Sequence, residues 1–260
     1  MLRNENLGTG ILAAIGFLIL LLLPFNQLFG SLDSFKAGQL GDTLKNSVII
    51  LYGWILIKKW GYIKASGVFK FLPRLAYLFI IPTYFLFLGP LQYSLFDYTF
   101  YDIQSSDVLI LLIANLTVGL SEEIIFRGFM VSHLIKGRDT SKSLIYPLSL
   151  GAFLFGGLHF LNLLANDANT YLVVAQVTYA TMFGVSFGVL LLRTNSLFPI
   201  GILHGLINFT SNWHDLPGAT EPAIIEQYRL QEALLSVLVV LPFFLFSLVQ
   251  LKKVKQEDLN

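Results

Sequence analysis

Eight apolar runs divide this chain, and runs of such length are buried by crossing the roughly 30 Å hydrocarbon core of a bilayer as helices. They lie near residues 9–29, 41–60, 74–96, 107–134, 143–165, 170–192, 196–212 and 229–251. Lys45 and Asn46 interrupt the second and the seventh is short, which makes both candidates for partial or tilted spans. Composition agrees, with 55% of the 260 residues hydrophobic, 13% charged and a mean hydropathy of +0.70, far from soluble-domain usage. The expected fold is therefore an all-α, polytopic transmembrane helix bundle of about eight spans. No linker, repeat or low-complexity tract splits it, so residues 1–260 read as a single membrane domain. The first run looks weakly like a signal peptide, but it is long and no A-x-A site follows it; it is kept as the first span.

Lysine and arginine orient the bundle, because short cytoplasmic loops carry an excess of them. With both termini in the cytoplasm, the inner side holds thirteen: Arg3; Lys58, Lys59, Lys64, Lys70 and Arg74; Lys136, Arg138 and Lys142; Arg193; and Lys252, Lys253 and Lys255. The outer side holds Lys36, Lys45 and Arg229, and Arg127 lies within the membrane. Removing one crossing would scramble this alternation, so the split supports eight. The basic stretch 58–74 reads as an ordinary positive-inside loop, with contact to anionic headgroups as a second use.

Several function classes drop out. A net charge of +1 without a long basic block argues against nucleic acid as a partner. The absence of cysteine excludes disulfides, thiolate nucleophiles and Cys-ligated zinc. Gly184-Val185-Ser186-Phe187-Gly188 fits the G-x-S-x-G nucleophile pattern, which needs a strand-to-helix elbow. Here it lies mid-helix, where Gly184 and Gly188 serve better as a close-packing face. Neither an H-E-x-x-H zinc signature nor a nucleotide-binding glycine loop is present. The inverted symmetry common in transporters is not visible either.

The fourth run, Asp107–His133, carries Glu122, Glu123 and Arg127 inside its apolar length. An ionisable residue near a bilayer centre costs about 2.5–3.5 kcal/mol on insertion scales, so three within six positions point to function. Glu123 and Arg127 are i and i+4, one helical turn apart in the better order for an ion pair. Glu122 points about 100° away. One net negative charge is left on it, as a buried general base requires.

Two later runs bring polar partners. Phe155 and His159 share one helix face in the fifth, and His204 and Asn208 share one in the seventh. Either histidine alone would pass as an interhelical hydrogen-bonder. Two carboxylates, two imidazoles, an amide and a guanidinium across three spans exceed what packing needs. His133 and His214, at helix ends, read as bystanders.

In that order and spacing, Glu122-Glu123-x-x-x-Arg127, Phe155-x-x-x-His159 and His204-x-x-x-Asn208 resemble the three motifs of the CAAX prenyl protease and bacteriocin-processing family, the type II CAAX endopeptidase-like proteins. The resemblance covers about residues 107–212, and it implies a membrane-embedded endopeptidase of a bacterial cell membrane. Its implied partners are the bilayer and a peptide or protein substrate, membrane-associated or lipid-modified. By motif position Glu122 is the general base, His159 orients the attacking water, and His204 and Asn208 donate to the oxyanion, while Arg127 holds Glu123. No cofactor is required on this reading. A rival uses zinc, held by His159, His204 and Glu122 or Glu123 with an open water position. A further alternative is a non-catalytic immunity or peptide-binding protein that keeps the fold.

Counting along the helices places Glu122 about 18 Å from the cytoplasmic end of its span and His204 about 12 Å from its own. His159 comes out deeper, about 24 Å from residue 143. With Glu122 and His204 in the inner parts of their helices, the cavity is expected to open toward the cytoplasm or sideways to lipid.

Overall fold

The computed structural model describes residues 4–71, 73, 75–95, 97–136, 144–164, 169–220 and 229–255, with side chains from residue 12 on. Of the basic residues counted above, Arg3, Arg74, Arg138 and Lys142 lie outside that set. Among the described residues seven helical segments are long and apolar enough to cross a membrane, and Leu197–Ser211 is a shorter apolar helix of 15 residues. The chain is an integral membrane protein with an all-α bundle. The segment expected to be short is the one that falls below spanning length.

Helix α1 (Asn4–Leu22) ends in a 3-10 turn at Phe25–Phe29, and α2 (Ser34–Lys59) returns beside it. The Tyr52 hydroxyl donates to the Ala13 carbonyl at 2.9 Å and ties the two together. Asp33 caps α2 by accepting the Lys36 backbone N–H at 2.9 Å, so this helix starts earlier than its apolar composition suggests. Lys45 and Asn46 are accommodated inside it: Lys45 pairs with Asp42 at 2.6 Å, and Asn46 accepts from the Ser121 hydroxyl at 2.7 Å. The short α3 (Ile63–Ser66) follows, then two 3-10 turns at Ala76–Phe79 and Ile81–Tyr84 and α4 (Phe85–Leu95). Pro82 lies in the second of these turns and removes an N–H that a continuous helix would use, whereas Pro90 is carried inside α4.

Helix α5 (Ser105–Glu123) runs on through a π-helical segment, Ile124–Val131, into α6 (Ser132–Ile135). After it come α7 (Ile145–Leu158), a 3-10 turn at His159–Leu164, α8 (Thr170–Thr194), α9 (Leu197–Ser211) and α10 (Arg229–Leu251). A two-residue antiparallel pairing of β1 (Thr99–Phe100) with β2 (Ala219–Thr220) ties the loop after α4 to the one after α9.

Glycines set the closest crossings. A Cβ on Gly119 of α5 would stand 2.3 Å from the Gly205 backbone nitrogen and 2.6 Å from the Gly201 carbonyl oxygen on α9. Backbone cannot yield as a side-chain tip can. Gly119→Ala should therefore push α5 from α9, destabilise the fold by about 1–3 kcal/mol and slow any reaction shared by the two helices; thermal unfolding in detergent measures the first effect. Gly184 of α8 plays the same part against Ala152 of α7, whose Cβ and Cα would stand 2.6 and 2.7 Å from an added Cβ, and Gly188 leaves room for the Leu148 side chain at 2.7 Å. Ser186 between them is fully buried and donates to the Met182 carbonyl at 2.8 Å, so the packing reading of G-x-S-x-G holds.

Candidate active site

Glu122 and Glu123 close the regular part of α5, and the chain then widens into the π-helical segment that carries Arg127. Such wide turns recur at functional sites because they re-aim side chains without ending the helix. The expected ion pair forms: Arg127 Nη1 stands 3.0 Å from Glu123 Oε1, with both side chains almost wholly buried. The Arg127 guanidinium also lies over the Phe155 ring at 4.3 Å and 5.8 Å from that of Phe187. A buried cation between aromatic faces recovers part of its lost hydration from the ring quadrupoles.

Glu122 does not stand alone, as its position on the helix surface suggests it would. Its partner comes from α9, where His204 Nε2 lies 3.5 Å from Glu122 Oε2. On its other side His204 Nδ1 lies 2.8 Å from Glu123 Oε1. One imidazole thus bridges the two adjacent carboxylates. Glu123, beside Arg127, is an acceptor, which assigns the Nδ1 proton to His204 and leaves Nε2 facing Glu122. The contact spans 81 residues of sequence, and no local spacing rule could have revealed it.

Phe155 and Phe187 hold the imidazoles in place. The Phe155 ring is 5.5 Å from that of His159 and 6.1 Å from that of His204, edge to face, and Phe187 stands 5.4 Å from His204. The role of Phe187 has no local signature in the sequence, because it follows only from the packing of α8 on α9. The depth mismatch at His159 also has a physical answer. Helix α7 begins at Ile145 and His159 opens the 3-10 turn beyond it, so the residue sits in the part of the cavity nearer its mouth.

A cavity of about 700 Å³ joins Glu122, His159, His204 and Asn208. Glu123 and Arg127 stay behind its wall. From these residues it rises past Ile207, Ser211 and Asn212 to His214 and Arg229. His214, half-exposed, therefore lines the mouth, and the Tyr93 hydroxyl contacts both its Nδ1 at 3.1 Å and the Ser211 carbonyl. His133 packs elsewhere, with its Nδ1 2.8 Å from the Tyr62 hydroxyl.

The direction of this cavity corrects one expectation. It opens on the face that carries the start of α5 and the end of α9, opposite the loops rich in lysine and arginine, and not toward those loops. Toward them the bundle is filled by Ile57, Leu197 and Ile200, all nearly or fully inaccessible. Counting residues from the nearest helix end gave a depth for Glu122 but could not say which half of the bundle is hollow.

All seven motif residues fall within residues 104–210, the stretch matched by the family model described as type II CAAX prenyl endopeptidase Rce1-like. This stretch is similar to the Rce1-like family. No curated protein and no solved structure matches the chain. The matched stretch runs from the first turn of α5 to the last of α9, so it supplies Glu122, His159, His204 and Asn208 to the cavity. Gln92 of α4 and Glu232 and Ser236 of α10 complete the lining from outside it.

Proposed function

We propose that this protein is a membrane-embedded endopeptidase in which Glu122 activates water against a peptide bond near the membrane. The observation that carries the proposal is the meeting of Glu122, His159, His204 and Asn208 in one cavity, with the buried Glu123–Arg127 pair fixing the helix behind them.

Peptide hydrolysis needs a base for water, donors for the oxyanion and a proton for the leaving amine. Glu122 takes a proton from a water held between it and His159. The hydroxide oxygen bonds to the carbonyl carbon, the C–N bond breaks, and Glu122 returns the proton to the leaving nitrogen. The bridging geometry refines the part of His204. With its Nδ1 proton given to Glu123, Nε2 donates only when the ring is an imidazolium. In that state His204 Nε2 and the Asn208 amide are the oxyanion donors.

The zinc alternative asks His159, His204 and a carboxylate to converge. Among the described residues no three His, Cys, Asp or Glu side chains stand where they could hold a metal ion, and His204 Nδ1 is engaged by Glu123. Both observations support the metal-free reading, and no step here runs through a metal.

An internally quenched peptide library with the purified protein in detergent is the test. Asn208→Ala should lower kcat about 10²–10³-fold with KM nearly unchanged, as loss of one oxyanion donor does. Exhaustive chelation should leave the parent fully active. Activity that vanishes on chelation and returns with zinc would overturn the metal-free reading. Peptide binding by the folded parent with no cleavage would favour an immunity or peptide-binding role.

A further inference from the structure

Resting on the protease reading above, we infer that the cavity opens on the extracytoplasmic side of the membrane and takes its peptide from there, so the substrate class is an exported or externally exposed segment. The cavity rises toward one face of the bundle, and lysine and arginine gather on the other.

Among the described residues beyond α1, one face of the bundle carries Lys58, Lys59, Lys64 and Lys70 after or at the end of α2, Lys136 and Arg193 beyond α6 and within the last turn of α8, and Lys252, Lys253 and Lys255 after α10. No described acidic residue accompanies them there. The opposite face carries only Lys36, Lys45 and Arg229, and each of these is ion-paired: Lys36 to Asp33 at 3.0 Å, Lys45 to Asp42 at 2.6 Å and Arg229 to Glu232 at 3.1 Å. Asp97, Asp102, Asp107 and Asp215 lie on that same face. Every connecting loop is short, the condition under which lysine and arginine set orientation, so the first face belongs in the cytoplasm.

The hollow half of the bundle is the other one. The cavity ends at His214, Arg229 and Glu232, and its floor is Glu122, Phe155 and His204. Below that floor Gly128 packs against Ile57 and Leu197 so tightly that an added Cβ would stand within 3.0 Å of both. A water or a peptide thus reaches Glu122 from the acidic face, through a mouth framed by α4, α9 and α10. A peptide bond presented from the cytoplasm would meet packed side chains first.

The native chain has no cysteine, so single cysteines report access without background. Val118 lines the cavity one turn before Glu122, His214 lines its mouth, and Lys64 marks the basic face. Val118→Cys, His214→Cys and Lys64→Cys are to be exposed in the full-length protein to the membrane-impermeant reagent 2-sulfonatoethyl methanethiosulfonate, in right-side-out and in inverted vesicles. The inference expects Val118→Cys and His214→Cys to react in right-side-out vesicles and Lys64→Cys only in inverted ones. Should either cavity variant not fold, Gln92→Cys, also on the lining, replaces it. Reaction of Val118→Cys only in inverted vesicles would overturn the inference. Adding the quenched peptide library to parent vesicles separates the two levels of the argument: cleavage confined to right-side-out vesicles supports both. Outside labelling with no cleavage in either orientation upholds the access route and defeats the protease reading, together with the substrate class that rests on it.

Discussion

Glu122→Gln should fold as well as the parent and lose about 10²–10⁴ of its turnover, the range that a positioned general base supplies. The amide keeps the size of the carboxyl group and can still face His204 Nε2, which stands 3.5 Å away, so packing around the site is preserved. What is lost is the ability to take a proton from water and return it to the leaving amine. Glu122 is also partly open to the cavity, which removes any large penalty for the change. Size-exclusion behaviour and unfolding temperature should match the parent while cleavage falls. Loss of folded protein in this variant would mean that Glu122 is structural.

Arg127→Ala should do the reverse of that and destroy the fold before the chemistry. Removing one partner of a buried ion pair costs about 3–5 kcal/mol, because the other charge stays behind uncompensated. Here the residue left behind is Glu123, fully buried and also bonded to His204 Nδ1. Collapse of its neighbourhood would release the imidazole and, with it, the approach of α9 to α5. Folded yield in detergent and unfolding temperature are the readouts. Pairing this variant with Glu123→Gln in a double-mutant cycle should return part of the loss, since the stranded carboxylate is then gone. Full activity in Arg127→Ala would remove the pair from the account.

Much of this architecture was legible because bilayer thickness converts apolar length into structure. Spans such as 170–192 and 229–251 match Thr170–Thr194 and Arg229–Leu251 nearly residue for residue. The Glu123–Arg127 pair was legible for an equally local reason, the turn of the helix. Contacts that join distant parts of the chain were not. His204 bridging two carboxylates, Ser121 donating to Asn46 across 75 residues, and Phe187 against the imidazole all depend on which helices become neighbours. The π-helical segment has no sequence signature of its own, since Ile124–Val131 reads as ordinary apolar helix. The side on which the cavity opens follows from where the span broken around Pro82 and the short α9 leave space, and no periodicity records that.

The central claim is that a water activated by Glu122 is added across a peptide bond. Mass spectrometry of peptides incubated with the purified protein in ¹⁸O-labelled water, with a chelator present, tests it most directly. The account predicts one ¹⁸O atom in the newly formed carboxyl group of each product, at the rate seen without chelator, and formation of that product about 10²–10⁴-fold slower by Glu122→Gln. Labelled product formed by Glu122→Gln at the parental rate, or none formed by folded parent protein, would contradict it.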